Sequence, residues 1–316
     1  MFTKKMRAMK TMIGGAGLAA VVALSSPALM AHDSEFHHVH LGWTMPPDYQ
    51  SFAGIWYDNI RYANAPGVDP NTQSLDVYTL DLPLANAPVM IYAHGGGGDR
   101  GDKAWSADLN LKPAHFIAKE GFVFVSINYR LGKDGGTPNV QQDVADAVAW
   151  VRNNIAKFGG DPNNIFLSGH SFAAGVVSAV GTNETYLKKS GQDLNALKGV
   201  IVIDGGTPDG KDFKAGKYLP AFLVLTTSWN APGGPGGGKR AQAMVEALHA
   251  TGHTGEVVEL LGKDHFMASS DIGAYDDPET LTVHRFLNSV LGRKETRAFP
   301  PCCTGSPSLP ARGRGN

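Results

Sequence analysis

The sequence predicts an α/β fold, a mostly parallel central sheet flanked by helices, and three observations carry that expectation. Between residues 73 and 292, short runs rich in β-branched residues alternate with amphipathic segments, the order in which helices cover a parallel sheet. The runs after the first lack the strict alternation of a half-solvated strand, as expected where both faces are buried. Helix start and stop signals punctuate the segments between them.

Taken in order, the apolar runs predict strands at 75–80, 89–93, 122–128, 165–168, 200–204, 222–226 and 257–260. From 138 to 158, Val140, Val144, Val148, Val151 and Ile155 recur every three or four residues, which predicts a helix with Asp143, Asp146, Arg152 and Lys157 on its other side. Thr137 and Pro138 are read as its N-cap and first helical residue, and Gly159 and Gly160 as its stop. Ala241, Met244, Val245 and Leu248 mark a second helix ending near Gly252. A last helix begins at Asp277-Pro278 and is expected to bury Val283, Phe286, Leu287, Val290 and Leu291. No internal repeat interrupts this order, and no insertion is long enough for a large cap domain.

With 316 residues, 42% hydrophobic and 18% charged, the chain can bury a large core. Its formal net charge of -1 gives no electrostatic case for nucleic acid or an anionic membrane surface. Lys4, Lys5, Arg7 and Lys10 precede the apolar run TMIGGAGLAAVVALSS and then PALMAHD, the order of a secretory signal over residues 1–31 with cleavage after Ala28 or Ala31. The run is shorter than the ~20 residues of a spanning helix and contains Gly14, Gly15 and Gly17, so the expectation is an exported protein, periplasmic or secreted, with no membrane contact after cleavage. In the segment 32–54, His32, His37, His38 and His40 have spacing that a metal could use. No Cys or second matched pair closes such a site, so a mobile N-terminus without metal is expected. Cys302 and Cys303 are adjacent and staple nothing in the core. The tail 293–316, rich in Pro, Gly and Ser, reads as disordered.

The chemistry is concentrated in three places within residues 55–292. LSGHSFAAG sets Ser171 between the short strand 165–168 and a small-residue helix, the strand–turn–helix context of a nucleophile elbow, with Ala173 where a glycine is usual. HGGGGDRGDK, after the strand 89–93, is a glycine loop whose N–H groups can turn toward one point and, with the N–H of Phe172, receive an oxyanion. It lacks the Lys-Ser or Lys-Thr of a phosphate loop and no G-x-G-x-x-G opens a helix, so nucleotide binding has no support. His265, in GKDHF, lies between the last strand and the last helix, where a loop brings imidazole to the C-terminal edge of the sheet.

HGGGG, GDK, GGDPNNIFLSGHS and GKDHF, in that order, resemble an α/β-hydrolase of the carboxylesterase and feruloyl-esterase-like group, related to the hormone-sensitive-lipase type. The resemblance implies the α/β-hydrolase fold, Ser171 as nucleophile, His265 as general base, and Gly95, Gly96 and Phe172 as oxyanion donors. It implies hydrolysis of a small-molecule ester through an acyl-enzyme, without a cofactor. Members usually carry the acid in the loop after the strand FLVLT, where this chain has Asn230. Asp204, at the end of the preceding strand and followed by two glycines, is the preferred acid, with Asp209 and Asn230 behind it; Asp264, adjacent to His265, is poorly placed to reach it. Phe172 either narrows the acyl pocket or packs against a neighbouring helix. The same machinery suits an amidase or arylformamidase, and a noncatalytic binding protein that keeps the fold is the alternative from another class.

Overall fold

The apolar runs pair into one nine-stranded sheet of order β1-β2-β3-β5-β4-β6-β7-β8-β9. The strands are β1 Val39–Trp43, β2 Gly54–Arg61, β3 Ser74–Leu80, β4 Ala87–Ala93, β5 Val123–Ile127, β6 Gly160–His170, β7 Gly199–Ile203, β8 Ala221–Thr226 and β9 Gly255–Glu259. The computed structural model describes residues 39–43, 54–81, 84–136, 138–227, 238–274 and 276–294, all within the unit from Phe36 to Asn316. The expectations for the signal segment, most of 32–54, Thr137, Asn230 with its glycine-rich neighbours, Cys302, Cys303 and the tail from 295 lie outside the described residues.

From β5 to β9 every neighbouring pair is parallel, while β1, β2 and β3 add an antiparallel edge. All seven expected strands are present; β1 and β2 are additional. The central strands are buried where they cross the core: Val89, Met90, Ile91 and Ala93 in β4 and Ile165, Phe166 and Leu167 in β6 have no exposed surface. That is why their sequences read as continuous apolar runs. β6 is longer than expected because Gly160 already pairs with Ala87, so this glycine opens the strand instead of closing the helix before it.

The longer helices are α1 Asn139–Asn154, α2 Phe172–Thr182, α4 Gly238–Ala250 and α5 Pro278–Leu291, with the short α3 Glu184–Lys189. α1 buries Val140, Val144, Val148 and Val151 as its spacing requires, each contributing about 1.5–3 kcal/mol of apolar burial. Two details differ from expectation. Pro138 is the N-cap of α1 and Asn139 its first residue. Asp143, assigned by its polarity to the outer side, is fully buried. It accepts from Arg130 Nε at 2.8 Å, from Arg130 Nη2 at 2.8 Å and from Gln73 Nε2 at 2.7 Å, bonds that offset the cost of burying its charge. Asp277 caps α5 through the Thr280 N–H at 2.9 Å. Val290 and Leu291 are only partly covered at its end.

Candidate active site

Sheet register brings the chemistry together. The chain leaves β4 toward β5 on one side and continues into β6 on the other, so β4 and β6 flank the point where strand order reverses and a crevice opens at the C-terminal edge. Ala93 is paired with Gly169, His170 with Ile203, and Ile203 with Leu225. The next residues of these strands are the glycine loop, Ser171, Asp204 and the Thr226-Thr227 turn, side by side along one edge.

Ser171 has φ 57° and ψ -116°, a strained conformation for a side chain with a Cβ, at the turn between β6 and α2. Its N–H donates to the Ile203 carbonyl at 2.9 Å, which ties the turn to β7. A Cβ on Gly169 would stand 2.7 Å from the Ala173 carbonyl oxygen and 2.9 Å from Val177 Cγ1, so strand and helix do nearly touch there. Ala173 is fully buried with its methyl accommodated. Gly205 has a comparable role that the sequence reading missed: a Cβ there would run into the Ser171 carbonyl and the Ala174 methyl.

The Ser171 hydroxyl lies 2.8 Å from His265 Nε2, and His265 Nδ1 lies 2.6 Å from Asp204 Oδ2. Asp204 is buried and also accepts from the Thr227 N–H on Oδ1 and the Thr227 hydroxyl on Oδ2, each at 2.8 Å. Burial pushes its carboxyl up, but the bonds from His265 and Thr227 outweigh burial and hold it below the usual carboxylate range. The bond to Asp204 raises the His265 imidazole above its ordinary value, against partial burial. Asp209 is instead exposed and paired with Lys211 at 2.6 Å. Asp264 caps the turn after it, accepting from the N–H groups of Phe266 and Met267 at 2.9 Å each. Two residues before His265, Lys263 is anchored to Asp277 at 2.6 Å, Glu279 at 2.9 Å and Asp271 at 3.3 Å.

The glycine loop differs from expectation at one donor. The Gly95 N–H is taken by Asp108 Oδ2 at 2.8 Å, so Gly95 is not available to an oxyanion. The Gly95 carbonyl accepts from His94 Nδ1 at 2.7 Å. Because the peptide is planar and trans, the N–H of Gly96 points the opposite way from that carbonyl. Gly96, Gly97 and Gly98 have φ of 113°, 70° and 86°, a run that side chains would not adopt without strain. The Phe172 N–H is at the first position of α2 and has no acceptor within the helix. The Phe172 ring packs over Gly98, where a Cβ would stand 2.8 Å from it, and tilts against Tyr129 with centroids 6.2 Å apart.

Ser171 opens into a cleft of about 350 Å³ lined by Gly96, Gly97, Trp105, His170, His265 and Phe266 among others. Trp105 and Phe266 supply aromatic parts of its wall. His170 and Asp108, which no motif marks, also line it: His170 Nδ1 is 2.9 Å from Asp108 Oδ1 and His170 Nε2 is 2.9 Å from the His265 carbonyl. The position of His170 beside the serine was a usable signal; Asp108, in the four-residue helix Ser106–Leu109, carried none. Among the described residues no group of three or more His, Cys, Asp or Glu is arranged to hold a metal ion, and no helix is long and apolar enough to cross a membrane.

Residues 75–206 match the BD-FAE family model. Esterase LipC of Mycobacterium tuberculosis is 40% identical over 115 residues, 36% of this chain and 27% of that protein. Phenmedipham hydrolase of Pseudarthrobacter oxydans is 32% identical over 156 residues, 45% of this chain and 31% of that protein. The chain thus spans about a third or less of these curated relatives. The native esterase Est2 of Thermogutta terrifontis superposes with a TM-score of 0.59 at 19% identity, over 80% of this chain and 97% of that one. A sheet of this order, with a strained serine between strand and helix and a glycine loop on the neighbouring strand, is the α/β-hydrolase fold, and over residues 75–206 the chain is similar to the BD-FAE family and to esterases.

Proposed function

We propose that the protein is a serine carboxylesterase acting on small esters. The observation that carries this reading is the continuous chain from Ser171 Oγ through His265 to Asp204, at 2.8 Å and 2.6 Å, opening into an apolar cleft. Ser171 Oγ attacks the acyl carbonyl carbon while His265 Nε2 takes its proton. Asp204 keeps the other proton on Nδ1, which leaves Nε2 free to accept, and it stabilises the imidazolium. The negative oxygen of the tetrahedral intermediate is received by the N–H groups of Gly96 and Phe172. Collapse expels the alcohol, protonated by His265. Water then attacks the acyl-enzyme with His265 again as base, releasing the acid and Ser171.

A cleft of about 350 Å³ has room for a small acyl or aryl group. A fluorophosphonate probe should label the wild type and not Ser171→Ala, and p-nitrophenyl acetate hydrolysis should vanish in the same variant. A folded wild type that is neither labelled nor faster than Ser171→Ala refutes the reading. Comparing p-nitrophenyl acetate with the matching anilide separates an esterase from an amidase. The basic, apolar and small-residue order of the first residues supports export; fractionation with sequencing of the mature N-terminus tests it, and an intact residue 1 in the cytoplasmic fraction overturns it.

A further inference from the structure

The sheet ladder fixes where the reactive loops begin but not where His265 ends. His265 follows β9, three strands away from β6 at the sheet edge, and must reach back to Ser171. Asp108 is placed to close that gap. It is almost fully buried, and its carboxylate meets three segments at once. Oδ2 accepts from the Gly95 N–H of the donor loop at 2.8 Å. Oδ1 faces His170 Nδ1 of the serine turn at 2.9 Å and accepts from the Ser269 hydroxyl, in the short helix after the base, at 2.7 Å.

His170 completes the link, since its Nε2 stands 2.9 Å from the His265 carbonyl. Nε2 therefore donates to the carbonyl, while Nδ1 stands in close contact with the carboxylate without an aligned hydrogen bond to it. Lys112 and Tyr92 brace Ser269 and the Asp108 backbone. The Lys112 ammonium donates to the Asp108 carbonyl and to Ser269, and the Tyr92 hydroxyl meets Ser269 Oγ at 2.8 Å. Burial alone would push the Asp108 carboxyl up; His170, Lys112 and the Gly95 N–H outweigh it and hold the group well below the usual carboxylate range.

We propose that Asp108 and His170 form a positioning pair that holds the oxyanion loop, the nucleophile turn and the base-bearing loop in one register, a role separate from the Ser171–His265–Asp204 chain. The inference rests on the esterase reading of that chain. Neither residue touches the reacting bond. Their effect is on the distance and angle at which Gly96, Ser171 and His265 meet the carbonyl, and so on turnover more than on substrate capture, since a displacement of about 1 Å can cost about 10²-fold. Asparagine at 108 retains a carbonyl for the Gly95 N–H, with its amide facing Ser269 Oγ and His170 Nδ1. Glutamine at 170 retains a donor for the His265 carbonyl. Alanine at either position retains nothing.

The test is kcat and KM on p-nitrophenyl acetate for Asp108→Ala, Asp108→Asn, His170→Ala and His170→Gln, with melting curves and fluorophosphonate labelling. The expected result is a fall in kcat of about 10- to 100-fold in the alanine variants, with KM within about threefold. The amide variants should lose less than about fivefold, and Asp108→Ala/His170→Ala should be little worse than the poorer single variant. Should Asp108→Ala not fold, Asp108→Asn and the two His170 variants decide by the same criteria. Unchanged kcat in the folded alanine variants, a loss confined to KM, or amide variants as slow as alanine overturns the pair while leaving a labelled, active wild type and its serine chemistry intact. An unlabelled wild type removes the esterase reading and this inference with it.

Discussion

Replacing Asp204 by Asn changes one atom and has a calculable consequence. Asp204 presents two acceptor oxygens to three donors: Oδ1 to the Thr227 N–H, and Oδ2 to the Thr227 hydroxyl and His265 Nδ1. Asparagine has one acceptor oxygen and one amide. The backbone N–H of Thr227 cannot rotate away, so the oxygen takes that side and the NH₂ takes the place of Oδ2. The Thr227 hydroxyl can turn and accept from it. His265 Nδ1 must then be the lone-pair nitrogen, which puts the ring proton on Nε2, facing Ser171. That tautomer cannot accept the serine proton, and the charge that would stabilise the imidazolium is gone. Together the two effects should lower kcat by about 10³- to 10⁴-fold, equivalent to about 4–5.5 kcal/mol in the barrier. The assay is kcat/KM for p-nitrophenyl acetate beside the rate of fluorophosphonate labelling, both of which should fall together while the melting temperature stays within a few degrees of the wild type. A folded Asp204→Asn that loses less than tenfold refutes the assignment of Asp204 and the tautomer argument.

Three other outcomes follow from the geometry. The bond to Asp204 raises the His265 pKa, and only the unprotonated ring can act as base, so kcat/KM should decline on the acid side with a midpoint above the ordinary imidazole value of about 6.5, measured from pH 5 to 9. A midpoint below 6 contradicts it. Gly205→Ala should cost about 1–3 kcal/mol of stability and at least tenfold in kcat, because the new methyl displaces the Ser171 carbonyl and Ala174; a denaturant midpoint and a turnover measurement check both. Glu279 is buried and pushed up to about 8, chiefly by burial, despite its Lys263 partner. Its folded-state value lies above the unfolded one, so the folded state binds the extra proton between about pH 4.5 and 8, and stability falls as pH rises through that window. Glu279→Gln should therefore show a flatter melting temperature across pH 5–8 than the wild type.

The parts of the fold legible in sequence are those dictated by one dominant force. β4, β5, β7, β8 and the second half of β6 are buried on both faces, and continuous apolar runs follow directly. β2 is not legible in the sequence because Asn59, with φ 56°, interrupts it at a register shift between Tyr57 and Ile60, and the polar pair Asp58-Asn59 hides its alternation. A helical pattern places Asp143 outward because it sees polarity but not the Arg130 and Gln73 partners brought to it from elsewhere in the chain. The site divides in the same way. Ser171, His265 and Asp204 each sit at a strand end or in the loop after the last strand, which places them at one edge before any side chain is considered. Which glycine N–H is free depended on Asp108, a residue 13 positions from Gly95 with no motif around it. Only tertiary structure could show that Gly95 was already committed and that Gly96 was not.

The pairing of Ala93 with Gly169 has a further consequence. The donor loop and the serine turn both depart from neighbouring rungs of a single backbone ladder, so the separation of their starting points is a property of peptide geometry, and side chains such as Asp108 and His170 act only on what lies beyond those rungs. Residues farther out along either loop, such as Trp105, shape the cleft wall without being part of that spacing. Spacing at the strand ends and the shape of the cleft are thereby stored in different stretches of the chain, and loop tips can be lengthened or recomposed to reshape the cleft while the rungs from which the two loops depart stay as the sheet set them.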